Sequence, residues 1–137
     1  MKVAVRYYTK SGNTEKLAAA IAEAVGVDAH DVSVPLSEDV DILFLGSSVY
    51  AAGVDPAIKQ FISNLQVEVR TVVNFSTAAI LKSTYKQVKK LLDAKGIPLA
   101  EEEYACKGSF GPMNRNKPDD KNLEEAAEFA KAIVAKG

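Results

Sequence analysis

Tryptophan is absent from the 137 residues, and cysteine and histidine occur once each, as Cys106 and His30. One cysteine cannot close an internal disulfide, and that pair cannot supply a zinc set of the usual spacing. An excess of either charge is missing too, since 17 basic against 18 acidic side chains leave a formal net charge of -1. That balance argues against an electrostatic nucleic-acid binder and against an acidic disordered tail. No apolar run reaches the ~18 residues of a membrane span, and no basic stretch with a hydrophobic core opens the chain, so a cytoplasmic location is expected. Internal repeats, low-complexity tracts and linkers are lacking as well. What is there is 47% apolar and 26% charged residues. That is ordinary globular composition in a length that fits one domain, residues 1–137, burying roughly 70% of the unfolded chain's surface.

The hydrophobic pattern alternates between two kinds of segment. Residues 2–7 and 40–46 are short apolar runs, the second nearly continuous, as in strands covered on both faces. Leu17, Ala18, Ile21 and Val25, closed by Gly26, and then Ile58, Phe61, Ile62 and Leu65, have helical spacing. Asp55 and Pro56 are the natural cap and first residue of the second helix. Residues 69–75 read as another strand, and Thr84 with Gln87 has the form of a capping box for a helix running to Lys95, stopped by Gly96 and Pro98. A last strand falls within 97–105, where Glu101 to Glu103 read as a solvated edge. A polar loop over 107–118 and a final helix with Leu123, Ala126, Ala127, Ala130, Ile133 and Val134 on one face complete the chain. Strand and helix alternation of this kind implies an α/β fold, a parallel sheet with helices on both faces and right-handed crossovers. One link is short: a weak strand near 29–34 is joined to the next by only Pro35 to Asp39, so its crossover helix is expected to shrink to a turn.

In an open parallel sheet, ligands bind beyond the carboxyl ends of the strands where the winding reverses. The loop after the first strand, Thr9-Lys10-Ser11-Gly12-Asn13-Thr14, packs three hydroxyls, an amide and a glycine directly before a helix. It has the physical parts of a phosphate cradle: unpaired N–H groups and the positive end of a helix dipole, with Gly12 allowing close backbone approach. The plainer reading is a polar turn with a helix cap. Neither GxGxxG nor GxxxxGK[ST] occurs, so dinucleotide and nucleoside-triphosphate fingerprints are unsupported.

The spacing Tyr7-x-Thr9-x-x-Gly12-x-Thr14-x-x-x-Ala18-x-x-Ile21 resembles the FMN-phosphate signature of flavodoxins, departing at Arg6, where that pattern prefers an apolar residue. Leu45-Gly46-Ser47-Ser48-Val49-Tyr50 resembles the family's second loop, which lies against the isoalloxazine ring, and Ala51, Ala52 and Gly53 continue it. Asn74-Phe75-Ser76-Thr77-Ala78-Ala79 stands where the third flavin loop would be. Residues 107–111, with Pro118-Asp119 and the final helix, resemble the C-terminal region of the family. The resemblance implies a flavodoxin-like doubly wound sheet of five parallel strands in the order 2-1-3-4-5 and one non-covalent FMN. Thr9, Lys10, Ser11, Gly12, Asn13 and Thr14 would hold the phosphate, Lys10 adding charge if turned inward. Tyr50 would cover one ring face, where stacking is worth about 1 kcal/mol beyond burial, and Ser76 and Thr77 would be donors near the pyrimidine.

Two departures bear on activity. Flavodoxins that shuttle single electrons are typically acidic, whereas this chain is nearly neutral. Family members also commonly place Gly after the ring-covering aromatic, where Ala51 stands, and a non-Gly residue forced to φ > 0 costs roughly 1–2 kcal/mol. The resemblance implies an electron carrier working between a soluble reductase and a soluble acceptor, as a monomer or weak dimer, with no catalytic side chain. Two alternatives stay open: a flavodoxin-like oxidoreductase of quinone or protoporphyrinogen type, and a flavin-free phosphate-binding or interaction module. Cys106 reads as a small buried hydrophobe, His30 as an exposed strand or turn residue, and Asn114 to Lys117 as a mobile surface loop.

Overall fold

Apolar runs punctuated by glycine and polar turns form five strands and four helices among the residues described by the computed structural model, namely 1–49, 54–78, 83–109, 114 and 116–137. In chain order they are β1 (Val3–Tyr7), α1 (Asn13–Val25), β2 (Ala29–Asp31), β3 (Val40–Val49), α2 (Pro56–Ser63), β4 (Val69–Ala78), α3 (Tyr85–Lys95), β5 (Leu99–Lys107) and α4 (Asp120–Lys136). The strands pair in parallel in the order β2-β1-β3-β4-β5. The winding therefore reverses between β1 and β3, and the loops after those two strands border the crevice so formed.

Alternation along the central strands sends side chains to two separate cores. Val5, Ile42, Phe44, Val73 and Phe75 pack with Leu17 and Ile21 of α1 and with Ala126 and Ala130 of α4. Leu43, Leu45 and Val72 pack with Ile58, Phe61 and Ile62 of α2 and with Val88 and Leu92 of α3. Each fully buried large side chain contributes about 1.5–3 kcal/mol, so the layers on either side of the sheet are held independently.

The ends of the helices follow from capping chemistry. Gly26 and Gly96 close α1 and α3 in the left-handed conformation, and the Asp55 carboxylate accepts the Ala57 N–H at 2.9 Å to open α2. The capping box expected at α3 is not formed. Thr84 makes no side-chain cap, because its hydroxyl is turned inward to Ser47 and Asn74. Ser83 Oγ accepts the Tyr85 N–H instead, at 2.8 Å, and Gln87 Oε1 has no hydrogen-bond partner among the described residues. A reciprocal box does open α4, between Asp119 and Asn122.

The short link between β2 and β3 carries no helix. Arg6, the residue that departs from the apolar pattern of β1, holds the strap that replaces it. Its guanidinium donates to Val34 O at 2.8 Å, Val5 O at 3.0 Å and Pro35 O at 3.4 Å, and burial pushes its pKa down. A buried cation satisfied by carbonyls thus ties down a segment that has no helix and packs Val32 and Leu36 against the core on the α2 side. An open groove of about 480 Å3 lies between that strap and α2.

Candidate functional site

The loop between β1 and α1 is shaped by its own hydroxyls. Gly12 has φ 87°, the left-handed region that favours glycine, and turns the chain into α1. Thr9 Oγ1 accepts the Gly12 N–H at 3.2 Å, and Ser11 Oγ accepts the Asn13 N–H at 3.4 Å. These side-chain oxygens satisfy N–H groups at the helix start, which a helix terminus otherwise leaves free. Lys10 turns toward the cap of α2, with Nζ 3.5 Å from Asp55 Oδ2.

Behind the loop, three hydroxyls from three elements meet. Thr14 Oγ1 lies 2.5 Å from Ser48 Oγ and 3.0 Å from Thr77 Oγ1, and the last two are 3.1 Å apart. All three residues are buried. Two glycines permit this approach. A Cβ on Gly46 would stand 2.3 Å from the Phe75 ring and 2.9 Å from Thr14 Cγ2, and one on Gly108 would stand 2.8 Å from Asn13 Nδ2 and 3.1 Å from Thr77 Cβ. Asn13 completes the side facing α4: its Nδ2 donates to Ser109 O at 2.9 Å and its Oδ1 accepts the Ser109 hydroxyl at 3.2 Å. The loop after β5 is thereby joined to the first turn of α1.

On the opposite face the same end of the sheet carries a second polar cluster. Ser47 Oγ donates to Thr84 Oγ1 at 2.8 Å, and Asn74 Nδ2 donates to Thr84 Oγ1 at 3.1 Å and to Glu103 Oε1 at 3.4 Å. Ser83 Oγ donates to the same carboxylate oxygen at 2.7 Å. Glu103 is therefore only half-buried edge by position, and it is no solvated ornament of β5; among Glu101 to Glu103, the other two alone are exposed. A register shift brings it there, since the step from Leu99 to Glu103 on β5 faces the step from Val72 to Asn74 on β4. Ser76 Oγ, fully buried on β4, has no hydrogen-bond partner among the described residues.

The sequence-derived site residues fall into three groups. Thr9, Ser11, Gly12, Asn13 and Thr14 are brought together as a loop and first helical turn, with Lys10 beside them. Ser47, Ser48 and Val49, and Ser76, Thr77 and Ala78, are strand rather than loop residues, because β3 and β4 pair through Ser47 with Ser76, Ser48 with Thr77 and Val49 with Ala78. Tyr50, Ala51, Ala52, Gly53 and Ala79 lie outside the described residues, as do residues 110–113. Asn74, Thr84, Glu103, Gly108 and Ser109 join the site although the sequence pattern gives Thr84 a helix cap, Glu103 a solvated edge and the other three only a place in a family-like segment; the run of polar side chains at 74, 76–77 and 83–84 is the one local signal toward them. Cys106 is half-buried, and burial pushes its thiol up to about 11. His30 is exposed in β2. Lys117 O accepts the Ser109 N–H at 3.0 Å, and Asn114 and Asn116 have positive φ. Among the described residues no cluster of His, Cys, Asp and Glu could hold a metal ion, and no helix is long and apolar enough to cross a membrane.

The five-stranded parallel architecture is shared with known proteins. The family model for the flavodoxin domain matches residues 4–105. The chain belongs to the flavodoxin family. A curated relative from Methanocaldococcus jannaschii, an uncharacterized protein, is 32% identical over 136 residues, covering 89% of this chain and 90% of its own length. Among solved structures, a flavodoxin from the domain Archaea superposes with a TM-score of 0.79 at 18% identity, covering 99% of this chain and 98% of that one. Oxidised flavodoxin 2 from Bacillus cereus gives 0.75 at 19% identity with 100% of both chains covered. Rubredoxin oxygen:oxidoreductase from Desulfovibrio gigas gives 0.75 at 17% identity, matching 98% of this chain but 35% of its own. These likenesses fix the flavodoxin fold, with its five parallel strands in the order 2-1-3-4-5.

Proposed function

We propose that this flavodoxin binds one FMN non-covalently and passes electrons between soluble partner proteins, a reductase and an acceptor, in the cytoplasm. The observation that carries the reading is the start of α1 at the β1–β3 crevice, where a left-handed Gly12 turns the chain, the Thr9 and Ser11 hydroxyls accept the Gly12 and Asn13 N–H groups, and Thr14 is held behind them by Ser48 and Thr77. The donor set fits a phosphate monoester: N–H groups and hydroxyls that now satisfy one another can be handed to a dianion at little reorganisation cost. When bound, FMN supplies the one- and two-electron chemistry.

The chain's own residues do the rest. The Thr9 to Thr14 loop binds the phosphate, and Ser48 and Thr77 hold Thr14 in place. The ends of β3 and β4 would orient the ring; Tyr50 is assigned to one ring face, and Ser76, whose hydroxyl has no partner among the described residues, is assigned with Thr77, Ala78 and Ala79 to its polar edge. No side-chain acid, base or nucleophile is required. A second reading, a flavin-dependent oxidoreductase of quinone type, is favoured by the near-neutral charge, because a carrier that is steered to its partners usually bears a strong field.

The visible spectrum of the purified protein, before and after mixing with FMN and removing the excess, tests the proposal. Retained oxidised-flavin bands are the expected result. A colourless protein that cannot be reconstituted overturns it and leaves a flavin-free phosphate-binding or interaction module. Reduction only through a separate reductase marks the carrier, and turnover of NAD(P)H with a quinone marks the enzyme.

A further inference from the structure

An asparagine with no exposed surface in the middle of a parallel strand is costly unless every polar atom is used. Asn74 is such a residue, and its partners form a chain across three elements. The Glu103 carboxylate on the edge strand β5 accepts Ser83 Oγ at 2.7 Å and Asn74 Nδ2 at 3.4 Å. Ser83 Oγ also accepts the Tyr85 N–H that begins α3. Asn74 then reaches Thr84, whose hydroxyl takes the proton of Ser47 on β3. One carboxylate therefore fixes the start of α3 to the carboxyl ends of both β3 and β4, the two strand ends assigned above to the flavin ring.

We propose that Glu103 is a positioning residue for the ring side of the cofactor site, acting through Ser83, Asn74, Thr84 and Ser47 and without touching the phosphate loop. The inference rests on the flavin reading and adds a division of labour to it. Residues on the α1 and α4 face set affinity for the phosphate, and the cluster under α3 sets affinity for the ring. The separation is geometric, because none of the hydrogen bonds of Glu103, Ser83, Asn74 or Thr84 described above ends on residues 9–14.

The test compares three probes on the purified full chain: FMN, riboflavin and inorganic phosphate, the last followed by the amide resonances of Gly12 and Asn13. Glu103→Ala is expected to weaken FMN and riboflavin by the same factor, about tenfold, the lower end of the scale for one lost hydrogen bond to a charged group, with phosphate binding unchanged. Glu103→Gln, which keeps an acceptor for Ser83, is expected to recover most of that loss. Thr14→Ala should give the reverse split, with FMN and phosphate weakened and riboflavin spared. Should Glu103→Ala not fold, Ser83→Ala carries the same expectation. Riboflavin affinity within about twofold of the parent, or phosphate weakened in parallel, overturns the proposal. A parent protein that binds neither flavin overturns the cofactor reading itself and this inference with it, whereas a parent that binds both with unaltered variants overturns only the inference.

Discussion

Ser47 and Ser48 are neighbours in β3, and the pleat sends their hydroxyls to opposite faces of the sheet. Ser48 joins Thr14 and Thr77 in a ring of three hydroxyls, each able to give one hydrogen bond and take another, so that cluster is closed on itself. Ser47 joins a chain that runs through Thr84 and Asn74 and ends on a carboxylate at the sheet edge. A closed ring of short side chains tolerates exchange with a ligand oxygen, because the same hydroxyls can donate to it. An open chain anchored by a charge resists rearrangement, since loss of its anchor strands a buried amide. The first suits a place where something binds, and the second suits a place that must hold still.

The largest effect expected from breaking the comparison is at Gly46, the residue beneath the hydroxyl ring. Gly46→Ala forces a methyl to within 2.3 Å of the Phe75 ring and 2.9 Å of Thr14, and Phe75 is wholly buried. Overpacking of this severity costs about 3 kcal/mol, to be read as a lowered urea midpoint with an unchanged slope. The cluster under α3 should feel nothing directly, so the Asn74 side-chain amide resonances ought to stay in place while those of the first turn of α1 move.

A pair of hydroxyl and amide deletions then distinguishes the closed ring from the open chain. Thr77→Val removes two hydrogen bonds but leaves Thr14 and Ser48 paired at 2.5 Å, and a loss of about 1 kcal/mol is expected. Asn74→Ala takes the donor from both Thr84 and Glu103 and opens a void in the sheet, for about 2 kcal/mol. Equal costs in chemical denaturation would mean that the two clusters do not differ in the way their connectivity indicates.

These clusters also mark the boundary of what the residue pattern reveals. The helices are legible because their signals are local: Asp55 with Pro56, Gly26 and Gly96 end elements within a few residues of themselves. The loop at Thr9 to Thr14 is legible for the same reason. Strand lengths are not, because Ser47, Ser48, Ser76 and Thr77 have the composition of a loop and become strand only by pairing with each other across β3 and β4. Thr84 and Gln87 satisfy the capping-box pattern, yet the Thr84 hydroxyl serves Ser47, a partner 37 residues away. Glu103 is further out of reach: the register shift against β4 decides which of three successive glutamates turns toward Asn74, and pairing registers are not written in either strand alone. Arg6 is an instance of the same limit, since its value to the fold depends on a crossover that has lost its helix.

Cys106 offers the gentlest probe of the comparison. It pairs in register with Thr77 and packs against the core beneath α1 and α4, so it reports on the hydroxyl-ring side and not on the Glu103 side. Burial raises its thiol to about 11, and the reactive species is the thiolate. At pH 8 alkylation should therefore run roughly a hundredfold slower than for an open thiol, rising with pH toward about 11. The sign for stability follows from the same shift. The unfolded chain releases the thiol proton near its ordinary value while the folded chain keeps it, so stability declines with rising pH between about 9 and about 11. Thr77→Val, by loosening the neighbouring strand, should speed alkylation, and Glu103→Ala should not. An equal acceleration by both would show that the two faces of the sheet open as one unit.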